Sequence, residues 1–295
     1  MMPHSLTLLL AAAFLGGCGA ARTSGGSTST SRGAAGECFP VESLAPADRT
    51  LAERVLLEFS DREGLYTLAG GLKPISSDVR DLSLRIAPSV DSVALQQLEQ
   101  LRRVAAALHC GEVGTFVQVF TAPQTRRDST VVRATSMVVY HRTSVQQAIG
   151  RQQRFFATLG ITPGADVREV LAAVENAPRD ARWRGYGYLF GYPDEAVDFF
   201  VQAGVQGDST KALVPRDFRR VETWLRFAET RDGPRVMSSF VYAVPKGSAE
   251  TAGDVALRTA AAPIYADYAR RRAEFIGADS TGAVRLWRAW WTNAR

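Results

Sequence analysis

From residue 46 onward, apolar positions recur at helical spacing in several separate stretches. Leu51, Val55 and Phe59 share one side of a helix over 46–60, and Leu95, Leu98, Leu101, Ala105 and Leu108 do so over 91–109. A helix over 144–159 is expected to open on Ser144-x-x-Gln147, the pattern of a capping box, and to bury Val145, Ala148, Ile149, Phe155 and Phe156. Shorter helices are predicted over 163–176 and 193–203, and two more over 249–276 and 281–293.

Between them the period changes to that of strands. Residues 115–121 and 130–142 flank the polar turn PQTRRDS and predict a hairpin. Residues 221–229 and 235–244 flank TRDGP and predict a second. Here Val221, Thr223, Leu225 and Phe227 alternate with Glu222, Trp224, Arg226 and Ala228, so one face would meet a core. The strand ending at Tyr140 and the strand ending at Tyr242, about 100 residues apart, are each followed by a helix. A duplicated ββα unit and chance agreement between common strand residues both account for that echo. Local hairpins separated by helices predict an α+β fold, with an antiparallel sheet built from hairpins and several packed helices.

The first 36 residues stand apart. Leu6–Leu15 is an apolar run of signal-peptide length, followed by small residues and Cys18. Leu15-Gly16-Gly17-Cys18 resembles the lipobox of bacterial lipoproteins. The resemblance implies that residues 1–17 are a removable signal peptide and that Cys18 carries lipid (palmitate among its acyl groups). No Lys or Arg precedes Leu6, so cleavage by the ordinary signal peptidase near Gly19–Ala21 is the alternative. Gly19 stands where lipoproteins retained in the inner membrane often carry Asp. The destination implied is therefore the cell envelope, at the outer membrane facing the periplasm, with the membrane as a partner only through lipid on Cys18. Residues 18–36 then comprise the lipidated cysteine and a Gly/Ser/Thr tether with a reach of about 25 Å. Residues 37–295 form the folded part, as a single domain or as two packed halves of about 37–160 and 161–295.

With Cys18 assigned to lipid, Cys38 and Cys110 remain as an even pair in an oxidising compartment. A disulfide between them is favoured over a reactive Cys110 assisted by His109, because adjacent helical residues point about 100° apart.

Composition excludes more than it identifies. With 46% hydrophobic and 22% charged residues, 25 Gly and 13 Pro, the chain is neither disordered nor collagenous, nor a disulfide-dense miniprotein. No apolar run approaches the roughly 20 residues of a spanning helix, which excludes a multi-pass membrane protein. The net charge of +5 comes from Arg except for Lys73, Lys211 and Lys246. The clusters Arg216/Arg219/Arg220 and Arg270–Arg272 read as solvated faces or ion-pair networks, and no nucleic-acid partner is expected.

Catalytic signatures are largely missing. Beyond the leader only His109 and His141 are present, so there is neither an HExxH motif nor a three-histidine zinc site, and no metal or cofactor is expected. The folded part also lacks SxxK, G-x-S-x-G and P-loop patterns, leaving catalytic residues unassigned.

Two segments carry candidate chemistry. In residues 63–77, Gly70 and Gly71 would let backbone N–H groups approach an anion, with charge from Lys73 and hydrogen bonds from Ser76 or Ser77. The competing reading is a turn with an exposed Lys73 and with serines that cap the next element. In residues 183–198, Tyr186, Tyr188 and Tyr192 share sequence parity, so an extended backbone would place them on one face to stack against sugar rings or peptide side chains. Alternatively they fill a core edge. Asp194 and Glu195 read as acids in a first helical turn. Trp287, Trp290 and Trp291 lie on one side of the last helix, docked on the core or resting on lipid headgroups.

The expected function is a non-catalytic binding domain of the envelope, for a peptide, a glycan or an envelope partner protein. An envelope hydrolase or transferase with an unrecognised active site is the alternative.

Overall fold

The central strand of the fold is apolar on both of its faces. A computed structural model describes residues 38–225, 228–230, 233–235 and 240–293; Cys18, the leader and the tether lie outside them. A 3-10 turn at Val41–Ser43 leads into α1 (Pro46–Asp61), a short α2 (Leu65–Leu68) and the long strand β1 (Ile75–Ala87). Then come α3 (Ser92–Ala107), β2 (Val113–Val119), β3 (Gln124–Thr125) and β4 (Val131–His141). Five helices follow: α4 (Arg142–Arg151), α5 (Gln153–Thr158), α6 (Val167–Asn176), α7 (Arg179–Leu189) and α8 (Asp194–Thr210). The chain closes with β5 (Arg216–Arg220), β6 (Ala228–Thr230), β7 (Gly233–Arg235), β8 (Val241–Pro245), α9 (Ala252–Phe275) and α10 (Ala283–Asn293). This is an α+β fold with antiparallel sheet.

β4 pairs with β1 on one side and with β2 on the other, while β3 extends the β2 edge. Met137 stands opposite Val79 and Val117, and Tyr140 opposite Ile75 and Gly114. Successive β4 side chains point to opposite faces. Met137 and Val139 enter a core with Leu101 and Trp287, whereas Val138 joins Ile75, Val145, Phe156 and Val170 on the other side. Helices cover both faces, which is why Met137–Tyr140 reads as a continuous apolar run.

β1 escapes a reading by period because its apolar parity changes, from Ile75 and Val79 to Leu82, Leu84 and Ile86. Register shifts after Ser76, Val79 and Arg85 absorb the change. The second hairpin forms in part: β6 and β7 pair across the TRDGP turn as expected, but β8 takes β5 as its partner. A second ladder therefore sits at 216–220 and 241–245, and 216–220 precedes the expected strand at 221–229. After β5 the chain keeps Val221 and Thr223 buried but leaves the sheet: Leu225 N–H donates to Asp61 O at 2.8 Å, and Leu225 and Trp224 are exposed. Arg226 and Phe227 lie outside the described residues. Both hairpins do lead into helices, α4 and α9. The correspondence stops there, since β4 is central in a four-stranded sheet and β5–β8 is a separate two-stranded ribbon.

At α4 the predicted capping box is replaced. His141 is the N-cap, its Nδ1 accepting from Ser144 N–H at 3.3 Å, and Ser144 lies inside the first turn. A capping box does form on α9, between Thr251 and Asp254.

The tryptophans of α10 dock inwards. Trp287 is fully buried and donates from Nε1 to Ser60 Oγ at 2.6 Å, Trp290 is buried, and the half-buried Trp291 stacks on His141. The lipid-headgroup reading falls, because it required exposed indoles. Ion pairs fasten the same layer. Asp61 at the end of α1 accepts from Arg272 at 2.7 and 3.0 Å and from the Tyr268 hydroxyl at 2.6 Å. Arg288 reaches the first described residues, donating to Cys38 O at 3.0 Å, Phe39 O at 2.7 Å and the Glu42 carboxylate. Cys38 and Cys110 are paired as a disulfide with their Cα atoms 4.4 Å apart. Closing a loop of 72 positions is worth about 4 kcal/mol in chain entropy.

Candidate functional site

Of the candidate segments, 183–192 differs most from its sequence reading. Its residues 183–189 are helical, not extended, and form most of α7. Two glycines in a helix are unfavourable by propensity, about 1 kcal/mol each relative to Ala. Tertiary contact overrides that. A Cβ on Gly185 would lie 2.9 Å from a Val174 methyl, and one on Gly187 would lie 2.7 Å from a Val197 methyl. The glycines thus let α7 lie directly against α6 and α8.

Helical geometry also breaks up the tyrosine row. Tyr188 is buried with Phe155 and Phe156 in the smaller core. Tyr186 faces the opposite way, where its hydroxyl donates to Glu175 at 2.9 Å and accepts from Gln118 at 2.7 Å. Burial first, and the Glu175 carboxylate second, raise its pKa well above the ordinary phenol value. Tyr192 lies beyond α7. The expectation of three exposed tyrosines around one concave face is corrected accordingly.

The anion-site reading of Gly70, Gly71, Lys73 and Ser76 is corrected as well. Gly71 does approach something closely, but it is protein: a Cβ there would lie 2.0 Å from Ser144 Oγ and 2.7 Å from the His141 ring. Ser76 Oγ is buried against Thr67 Oγ1 at 2.8 Å, within β1 and not at a helix cap. Lys73 is fully buried, neither exposed nor facing a ligand. Its ammonium lies 3.3 Å from the Glu63 carboxylate and donates to Phe190 O at 3.3 Å. Three rings surround it, with centroids at 4.3 Å (Phe190), 5.0 Å (Tyr192) and 4.7 Å (Phe240). An ammonium removed from water needs such partners, and aromatic faces supply negative quadrupole charge without bringing in a second anion.

On the far side of two of those rings lies a cavity of about 420 Å³. Phe190 and Tyr192 form the wall it shares with the lysine cage. β1 and β4 contribute Ile75, Ser77 and Val138, and Gln118 and Phe120 lie at the base. Trp183, Tyr186 and Gly187 come from α7, and Ala196, Val197 and Phe200 from α8. The β5–β8 ribbon closes it with Phe218, Val241, Tyr242 and Ala243. Three of its polar groups are already engaged: Gln118 with Tyr186, Tyr186 with Glu175, and the Tyr242 hydroxyl with Asp254 at 2.7 Å. The rim is apolar and partly open, with Phe200 40% and Phe218 57% exposed. Trp183 and Phe190 lie in the segment singled out by sequence. Phe218, Tyr242 and Gln118 carried no signal, because they come from strands whose pairing fixes their place.

A second hollow of about 720 Å³ is bordered by Gly70, Gly71, Tyr188 and Tyr192, with Ser144, Arg151 and Asp194. The segments 70–74 and 186–192 are thus neighbours, the Gly191 Cα facing Leu72 O and the Pro74 ring. Ser144 Oγ lies 3.0 Å from His141 Nδ1, but that nitrogen is the N-cap acceptor of α4 and the hydroxyl is covered by Gly71. This is a helix cap rather than a nucleophile and base. Among the described residues, no group of three or more His, Cys, Asp and Glu is placed to hold a metal ion. No protein-family model, curated protein or solved structure matches the chain.

Lys73→Met alone strands a buried carboxylate and should cost about 3–5 kcal/mol in denaturant unfolding. Adding Glu63→Leu should recover most of that loss; additive losses would show that the two charges are not coupled. For His141, burial holds the imidazole below its ordinary value of 6.5, against a smaller opposing effect of Glu112. A lowered folded pKa means that the neutral ring contributes fully above pH 6.5 and loses that contribution as pH falls through the folded value. His141→Asn retains a capping oxygen and should flatten the stability profile between about pH 7 and 5. An unchanged slope in that variant would place the dependence elsewhere.

Proposed function

We propose that this chain is a lipid-anchored protein of the bacterial envelope whose α+β domain binds an apolar ligand in the aromatic cavity, without catalysis of its own. The lipobox-like Leu15–Cys18, the tether behind it and Gly19 support delivery to the outer membrane, facing the periplasm. The paired Cys38 and Cys110 suit an oxidising compartment. The cavity carries the binding reading: about 420 Å³, lined by aromatic and aliphatic side chains, with a rim open to solvent. Ligand sites have this size and character, with a few polar groups fixing orientation.

The lining also discriminates among ligands. A glycan brings many hydroxyl groups that must be paired when buried, and Gln118, Tyr186 and Tyr242 in this lining are already hydrogen-bonded within the protein. An apolar ligand loses nothing in the same space. Each buried methylene contributes about 0.8 kcal/mol.

Titration with the neutral dye N-phenylnaphthylamine tests the cavity. A saturable fluorescence rise is expected with the unaltered domain. Ala243→Phe and, at the rim, Val241→Trp should each weaken it at least about tenfold while leaving the melting temperature near its original value. Unsaturable dye binding, or undiminished binding in both folded variants, would sink the reading. For the anchor, Cys18→Ser should move the protein from the membrane to the soluble periplasmic fraction, and continued membrane association would count against lipidation.

A further inference from the structure

The cavity does not end at its rim. Trp183 and Phe200 also line a third hollow of about 420 Å³, bordered by Ala203, Gly204 and Gly207. Trp183 meets this face edge-on at Gly204, where a Cβ would run into the rim of its ring. The far end is formed by Lys211, Leu213 and Arg216. Leu213 is 80% exposed there, the most exposed large apolar side chain among the described residues. The aromatic chamber and this hollow therefore adjoin at the Trp183–Phe200 ring pair, whose centroids are 5.4 Å apart, and the hollow opens at an end that carries two cations.

The charges at that end are unequal in their engagement. Asp208 is held by Arg179, which also pairs with Asp180 at 3.1 Å and lies over the Trp183 ring at 4.6 Å. Lys211 and Arg216 make no ion pair among the described residues; Arg216 Nε donates to Val214 O at 3.1 Å. Lys211 is unusual in a second respect. It is the C-cap of α8 with φ of 57°, in the left-handed region where glycine is the preferred residue. A lysine in that position retains favourable interaction with the helix dipole, but glycine would suit the backbone better.

We infer that the ligand of the cavity is a single-chain anionic amphiphile, a long-chain alkanoate, with its hydrocarbon in the aromatic chamber and its carboxylate at Lys211 and Arg216. The inference rests on the cavity being an apolar binding site. Charge complementarity commits it to an anionic head: the adjoining hollows are lined chiefly by apolar side chains, and the acid among them, Asp208, is held by Arg179. Lys211 and Arg216, which make no ion pair among the described residues, share one sign at the open end.

The test is displacement of the neutral dye from the full-length Cys18→Ser chain by alkanoates and by alkanols of the same chain length. Affinity for both series should rise about fourfold per methylene until the chamber is full. At low ionic strength the alkanoate should bind about tenfold more tightly than the matching alkanol, and added salt should narrow the gap. Lys211→Gly and Arg216→Gln should each reduce the gap about threefold, and together close it. Lys211→Gly should also hold or raise the melting temperature, which a purely structural lysine would not allow. Equal affinity for alkanoate and alkanol would overturn the assignment of the head while leaving the apolar site intact. Failure of both series against a dye that still binds would overturn the amphiphile, and failure of the dye itself would remove the site.

Discussion

The Lys73 ammonium, fully removed from water, is the constraint on which the centre of this protein depends. Its Coulombic partner, Glu63, comes from the turn after α1, its carbonyl acceptor from the end of α7, and its three rings from 190, 192 and 240. Segments far apart in sequence must therefore arrive together, or a buried charge is left unpaired. Apolar side chains of similar volume could fill the same space without that condition. The ion pair instead fixes which ends of α7 and of the β5–β8 ribbon face each other, and the cavity is the space left between them on the other side of the rings.

Around that centre the fold is held by a small number of long-range polar links set in apolar layers. Asp61 joins α1 to α9 through Arg272 and Tyr268, and Asp48 joins α1 to α3 through Arg103 and Gln100. Arg288 and the disulfide draw the first described residues against α10 and the end of α3. Many of the arginines pair in this way with carboxylates of the same chain. Lys211 and Arg216, which line the open hollow, make no such pair among the described residues.

Close approach of backbones is the other recurrent device. Gly185 and Gly187 bring α7 against α6 and α8, Gly204 seats Trp183 on α8, and Gly71 lets the loop before β1 reach the N-terminus of α4. Gly185, Gly187 and Gly204 each weaken the helix they sit in and are compensated by a contact made with another element. A ligand chamber bounded on one side by α7 and α8 results from that closeness, because the large rings are displaced to the edges of the interface.

How far all this could be read in advance depended on where the information lay. Helices α1, α3, α6 and α10 were legible because apolar residues at three- and four-residue spacing report directly on a buried stripe, and the β2–β4 hairpin because a polar turn separates two alternating runs. Pairing of Cys38 with Cys110 followed from cysteine parity. Tyr186 and Tyr192 and the lysine loop stood out as neighbours of interest, but their roles differ from those their local pattern suggests. The sequence on its own determined the class of fold, the core stripes and the segments rich in unusual residues, since those depend on local spacing and composition. Tertiary structure alone decided that 183–189 is helical, that Lys73 is buried and that Tyr186 and Tyr188 part to opposite sides. Those outcomes turn on contacts with Val174, Val197, Glu63 and Phe240, whose distance along the chain no local pattern can express.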